Sequence, residues 1–325
     1  MKAVLCKQYG MPDTLVLEEV PSPEPAAGQV VVSMKAAGVN FPDALIIQGK
    51  YQMKPPFPFS PGTELAGVVK AVGEGVKQPK PGDAVIAYAG YGGYAEEIAV
   101  DARACIPMPP GVDFKVAASF MMTYGTSYHA LKDRAQIKAG ETLLVLGAAG
   151  GVGSAAVELG KLMGARVIAA ASGEDKLDAC RQLGADATIN YSSEDLRAGV
   201  KRITEGKGVD VVYDPVGDKF AEPAMRDMAW GGRYLVIGFA GGEIPKIPLN
   251  LPLLKGFSIV GVFWGNFTRK QPQNNEANVR ELLGWIASGK LKPLVSAAFP
   301  LAQAARALND VLERRVKGKV VLVPN

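Results

Sequence analysis

The stretch "LLVLGAAGGVGSAAVELGKLMGA" (residues 143–165) decides the fold. An apolar run with strand character is followed at once by Gly147, Gly150, Gly151 and Gly153, then by an amphipathic run that opens a helix near Val152. Glycine weakens any regular element, so four in seven positions need a reason. A glycine-rich turn lets main chain approach a pyrophosphate with no Cβ in the way. The helix that follows offers free N–H groups and the positive end of its dipole. The spacing G-x-x-G-G-x-G is one residue looser than G-x-G-x-x-G. Close helix–strand packing would account for one of these glycines, not four. We therefore expect a dinucleotide-binding turn.

Working outward, residues 141–263 alternate strand and helix. Strands are expected at "TLLVLG", "RVIAAA", "ATIN", "VDVVYD", "RYLVIGF" and "FSIVGVF", with helices at "VGSAAVELGKLMG", "EDKLDACRQLG" and "SEDLRAGVKRITEG". Strands separated by helices of about 10–15 residues imply βαβ units. The fold class is thus α/β, with a doubly wound parallel sheet. Residues 1–120 differ. Short β-rich runs such as "GQVVVSMKAAGV" and "LAGVVKAVG" are punctuated by "PSPEPAAG" and "KQPKPGD", which predicts a partly open barrel of antiparallel strands. The tail carries amphipathic runs and a closing strand "GKVVLVP", and is expected to return to the first domain. The boundaries expected are 1–121 with 267–325 for a discontinuous, mainly β domain, and 122–266 for the nucleotide domain.

The second strand selects among dinucleotides. An NAD site usually ends that strand with Asp or Glu for the ribose 2′-OH. Here it ends in Ala171 and Ser172, with Lys176 one helical turn on. A hydroxyl and an ammonium suit a 2′-phosphate, which favours NADPH. Glu174 and Asp175 complicate this, although acids in a helix's first turn have an ordinary capping role. The plain alternative is that Lys176 is a surface lysine.

Composition narrows the partners. The chain has 325 residues, 48% hydrophobic and 21% charged, a globular composition long enough for two domains. A net charge of +4, scattered along the sequence, gives no footprint for nucleic acid. No charge-free apolar run reaches the roughly 18 residues of a spanning helix, so neither membrane nor targeting segment is expected. Cys6, Cys105 and Cys180 lie far apart and fit free thiols in a reducing, cytoplasmic setting. His129 is the one histidine and is read as packing.

The motifs "AAGVNFPDALIIQGKY" (36–51), "PFSPGTELAGVV" (58–69), "PGDAVIA" (81–87), "GGYAEE" (92–97), "LGAAGGVG" (146–153), "VVYDPVG" (211–217) and "LERRVKGKVVL" (312–322) run through the whole chain. Together they resemble the zinc-free quinone oxidoreductase (zeta-crystallin-like) branch of the medium-chain dehydrogenase/reductase superfamily. The resemblance implies a Rossmann domain plus a GroES-like catalytic domain, with a cleft between them, and a homodimer whose sheets join at "FSIVGVFW". Zinc members carry Gly-His-Glu and a ligand cysteine. Here those positions read Gly62-Thr63-Glu64 and Asn40, so no metal is expected and Glu64 is read as a buried structural acid.

Carried over by position, the resemblance places Ala149, Gly150, Gly151, Val152 and Gly153 around the pyrophosphate. Ser172, Lys176 and Tyr191 fall by the adenosine phosphate. Thr126, Gly238, Phe239 and Phe263 fall by the nicotinamide, and Arg314 and Lys319 near the cofactor phosphates. Asn40 and Tyr51 are expected to line the active cleft as orienting hydrogen bonders, Tyr51 also as a candidate proton donor. Leu45 stands where some relatives have tyrosine, which makes the pocket more apolar. Without a Lewis acid, an acceptor that delocalises its own charge is favoured. A quinone is expected first, an enone or enoyl C=C bond second. A cofactor-binding structural role, as in crystallins, is the non-enzymatic alternative.

Overall fold

The computed structural model describes residues 1–325, which form two compact units: Met1–Met122 with Pro293–Asn325, and Thr123–Lys292.

In the second unit six strands form one parallel sheet, because β-branched and aliphatic runs buried on both faces are covered by the intervening helices. In chain order they are Thr142–Leu146, Arg166–Ala171, Ala187–Asn190, Val209–Asp214, Met228–Val236 and Ser258–Gly261. Across the sheet the order is third, second, first, fourth, fifth, sixth. The order reverses between the first and fourth strands. Ligands of such sheets bind outside the strand C-termini at that point.

The first unit is built on the long strand Gln29–Val39. It pairs antiparallel with Glu64–Val72, with Glu97–Asp101 and with the tail strand Lys319–Val323. Its core gathers Val30, Val32, Met34, Leu65, Tyr94, Leu301, Leu308 and Leu322. The register sets Val320 opposite Val39, which brings Lys319 beside Asn40.

One expected boundary moves. The return to the first unit falls at Pro293 and not at 267. The helices Trp264–Lys270 and Pro272–Ala287 stay with the second unit because their side chains are held there. Phe267 stacks on His129 at 3.9 Å between ring centroids, and Asn278 donates to Asp133 Oδ2 at 2.8 Å. Trp285 meets Tyr128 edge-on at 5.4 Å. An amphipathic pattern reveals that a helix has an apolar face, not which core receives it. His129 is buried against Phe267 and paired with Asp133, consistent with packing.

Candidate functional site

The turn after Leu146 is assembled from backbone. Gly147 adopts φ +57°, and Ala148 N–H donates to Ala170 O on the neighbouring strand at 3.0 Å. The helix Gly151–Leu162 then begins with Gly150 as its N-cap and no side chain capping it. Its first internal bond runs from Ser154 N–H to Gly150 O at 2.7 Å, so the N–H groups of Gly151, Val152 and Gly153 have no acceptor in the helix. A Cβ on Gly153 would stand 2.3 Å from Gly147 O and 2.9 Å from Ala148 Cα. Gly153 therefore permits the close crossing of helix and turn. Ser127 Oγ donates to Val152 O at 2.9 Å and pairs with the buried Tyr213 hydroxyl at 2.8 Å, tying the helix start to the sheet. Uncapped N–H groups, a positive dipole end and no Cβ in the way fit a pyrophosphate.

Beside the turn, Ser172 is exposed at the end of the second strand, and Lys176 Nζ donates to its Oγ at 3.2 Å. Of the two acids that complicated this reading, Glu174 is engaged elsewhere: Asn190 Nδ2 and Arg181 donate to it at 3.0 and 3.2 Å. Those bonds hold its carboxyl below the usual range. Tyr191 N–H donates to Ala171 O at 3.1 Å, and the Tyr191 ring packs on Phe220 at 4.4 Å. The structure therefore brings Ser172, Lys176 and Tyr191 to one strand end. Lys219, over the Phe220 ring at 5.4 Å, joins this neighbourhood and was missed, since nothing in "VGDKFAE" marks it as different from a surface lysine.

Two further turns lie at the same edge of the sheet. Ile237 and Gly238 N–H both donate to Asp214 O, at 3.0 and 3.3 Å. Asp214 Oδ1 accepts from Val216 and Gly217 N–H at 2.7 and 2.8 Å, while its Oδ2 accepts from the Tyr234 hydroxyl. Burial pushes the Asp214 carboxyl up despite these bonds. Phe239 and Phe263 are exposed within the unit, and Thr126 is half-buried on the helix Met121–Tyr128.

In the first unit the expected polar residues occupy a buried charged cluster. Asn40 caps the short helix Phe41–Ile46, with its N–H donating to Asp43 Oδ2 at 2.9 Å. Its side-chain Nδ2 donates to Glu64 Oε1 at 2.9 Å and to Thr63 Oγ1 at 3.2 Å. Glu64 is fully buried, and its Oε2 accepts from Met122 N–H at 2.8 Å. Asp43 Oδ2 also accepts from Tyr94 Oη at 3.0 Å, whereas its Oδ1 has no partner. Burial lifts the Asp43 carboxyl to about 6, against the opposing pull of the Asn40 N–H and the Lys319 charge. Tyr51 is half-buried on this core, and burial together with the Asp43 charge raises its phenol.

Two expectations change here. Lys319 does not face a phosphate. It is 4% exposed, and its three N–H donors go to Val39 O at 3.0 Å, to Glu64 Oε1 at 3.0 Å and to Asn40 Oδ1. Asn40 likewise has no amide hydrogen left to offer a ligand. Arg314 stays exposed, in left-handed backbone at φ +57°. The signal that was available for the cluster is a lone lysine in "KVVLV" and a lone glutamate in "ELAGVV", each inside a strand otherwise buried. The donors here do not fit zinc: no group of three or more His, Cys, Asp or Glu side chains is gathered anywhere, and an ammonium already occupies Glu64.

Residues 26–110 match the alcohol dehydrogenase GroES-like domain, and residues 151–287 match the zinc-binding dehydrogenase domain. The quinone oxidoreductase-like protein 2 homolog of Nematostella vectensis is 40% identical over 99% of this chain and 88% of its own. A probable oxidoreductase from Mycobacterium abscessus is 40% identical with a TM-score of 0.90, over 100% of this chain and 99% of that one. Escherichia coli quinone oxidoreductase, solved in complex with NADPH, is 31% identical with a TM-score of 0.93, each chain covered in full.

Proposed function

The chain belongs to the quinone oxidoreductase branch of the medium-chain dehydrogenase/reductase superfamily, and from that premise we propose that it is an NADPH-dependent, metal-independent quinone reductase. The observation that carries the reading is the bare helix start at Gly150–Gly153 beside Ser172 and Lys176, with the Glu174 carboxylate taken up by Asn190 and Arg181. NADPH, when bound, supplies the hydride. The N–H groups of Gly151, Val152 and Gly153 would hold its pyrophosphate. Ser172 Oγ and Lys176 Nζ would hold the 2′-phosphate, with Tyr191 beside them. Thr126, Gly238, Phe239 and Phe263 would flank the nicotinamide.

Reduction of a quinone to a quinol takes one hydride and one proton. Asn40 has spent its amide hydrogens, so the donor in the first unit is Tyr51 Oη, a phenol protonated at neutral pH. The Tyr51 proton passes to the acceptor oxygen and is replaced from solvent. The direct test is NADPH oxidation with 1,4-benzoquinone and naphthoquinones, with product analysis. Quinol formation supports the reading. No turnover with any quinone sinks it, and saturation of 2-alkenals or enones instead would assign C=C reduction.

The reading extends to a homodimer. The strand Ser258–Gly261 is an edge, paired on one side only, by Met228–Val236. Around it Ile259, Leu253, Leu254 and Trp230 are exposed, Trp230 by 81%. An open apolar edge invites pairing, and a second copy completes the sheet through a two-fold axis. Sedimentation equilibrium checks this: a monomer mass at micromolar concentration rejects it. No helix is long and apolar enough to cross a membrane.

A further inference from the structure

The cluster around Lys319 contains more than charge neutralisation requires. A single ion pair with Glu64 would neutralise the ammonium, yet Lys319 also donates to Val39 O and to Asn40 Oδ1. The Asn40 amide therefore sits between an ammonium on its oxygen side and a carboxylate on its nitrogen side. Rotation by half a turn about its last bond would set NH2 against the ammonium and the carbonyl against Glu64 Oε1. Both contacts would be repulsive in a buried site, so only one orientation is compatible with this surround.

We propose that Lys319 is a positioning residue that locks the Asn40 side chain with its carbonyl inward, so that this wall offers an acceptor no amide hydrogen and leaves Tyr51 as its one donor. The proposal rests on the quinone reductase reading above. The lock works through register. Val320 pairs with Val39, so the tail strand carries Lys319 to the end of the strand that Asn40 follows. Gly38 leaves room for the carboxylate, since a Cβ there would stand 2.5 Å from Glu64 Oε1. The groups facing the ammonium are Glu64, Asn40 and the Val39 carbonyl, with Asp43 acting through its charge. Without the lock the amide is no longer held to this orientation, and an NH2 released from Thr63 Oγ1 and Glu64 Oε1 would compete with Tyr51 for the acceptor carbonyl.

The test compares wild type, Lys319→Met and Lys319→Met/Glu64→Gln. Lys319→Met leaves the Glu64 carboxylate buried without its counter-charge, so its melting temperature should fall by roughly 6–15 °C. The double variant restores neutrality and should melt near wild type. Its kcat with a quinone should nonetheless fall roughly 10–100-fold, the scale of a misaligned reacting geometry. NADPH affinity, read by cofactor fluorescence, should be unchanged.

A second readout needs no turnover. In selectively 15N-asparagine-labelled protein, the Asn40 side-chain amide, assigned by its loss in Asn40→Ser, should exchange slowly with solvent in wild type and fast in the double variant. Recovery of kcat together with melting temperature would overturn the proposal, because Lys319 would then be only a counter-charge. Weakened NADPH binding with unchanged kcat would also overturn it and return Lys319 to a phosphate role. If wild type reduces no quinone, the function reading falls, while the exchange experiment still decides the lock.

Discussion

The turn after Leu146 and the cluster around Glu64 both fix polar groups inside an apolar fold, by opposite means. The turn uses main chain: four glycines, an uncapped helix start and no charged side chain. The cluster uses side chains: Lys319, Glu64 and Asp43, each less than 5% exposed. A backbone site costs little desolvation and waits for an anion to complete it. A cluster of buried charges must be complete within the chain, because an unpaired buried ion is expensive. The first is open by construction and the second closed. This difference is why Gly150–Gly153 suits a binding element and Lys319 does not.

The largest expected effect breaks the open site sterically. Gly153→Val would put side-chain carbon against Gly147 O and Ala148 Cα, both main chain. NADPH affinity should fall by about 100-fold or more, roughly 3 kcal/mol, in a fluorescence titration. Unchanged affinity would mean the crossing of helix and turn is not what forms the cradle.

The closed site is probed by pH. The Asp43 carboxyl, lifted to about 6, lies above its unfolded value, so between about pH 4 and 6 the folded chain keeps a proton that the unfolded chain has lost. This contribution to stability is full below about pH 4, shrinks as pH rises toward 6, and amounts to about 2–3 kcal/mol. Asp43→Asn should abolish it, so that urea unfolding shows the variant gaining on wild type from pH 4.5 to 7.5. Parallel pH slopes in the two proteins would take Asp43 out of the buried charge balance.

Lys176→Ala sharpens the comparison at the one place where the open site does employ a charge. It should weaken NADPH by about 2 kcal/mol, roughly 30-fold, and leave NADH nearly unaffected. Equal losses for both cofactors would return Lys176 to the surface. The smallest effect concerns what steadies the turn. Ser127→Ala removes the bond to Val152 O and leaves the Tyr213 hydroxyl without it, at a cost of about 1 kcal/mol in stability by urea unfolding. A neutral result would show that the helix start holds its place without that tie.

The strand–helix alternation from 141 to 263 was legible because each element has its own period, and the first four of the six strands overlap their expected positions almost residue for residue, while the fifth, expected at "RYLVIGF", starts five residues earlier and ends at Val236. The sixth, expected at "FSIVGVF", is shorter, at Ser258–Gly261, because its end turns into the helix that begins at Trp264. The glycine turn and the uncapped helix start were legible for a related reason: their geometry is local, confined to consecutive residues. The destination of "NNEANVRELLGWIASGK" was not, because an apolar helix face fits any apolar core, and Phe267, Asn278 and Trp285 found theirs against Tyr128, His129 and Asp133.

The sequence by itself determined the open site, because glycine spacing, a strand before and a helix after act over a few residues. Tertiary structure alone decided the closed one. Lys319 and Asn40 are 279 residues apart, and only the antiparallel register of Val320 on Val39 brings the ammonium to the amide. A lysine in "GKVVLV" reads as a cation for a phosphate until its three acceptors are seen. Burial, which removes water as the competing partner, turns it from a group that binds a ligand into one that holds the wall in place.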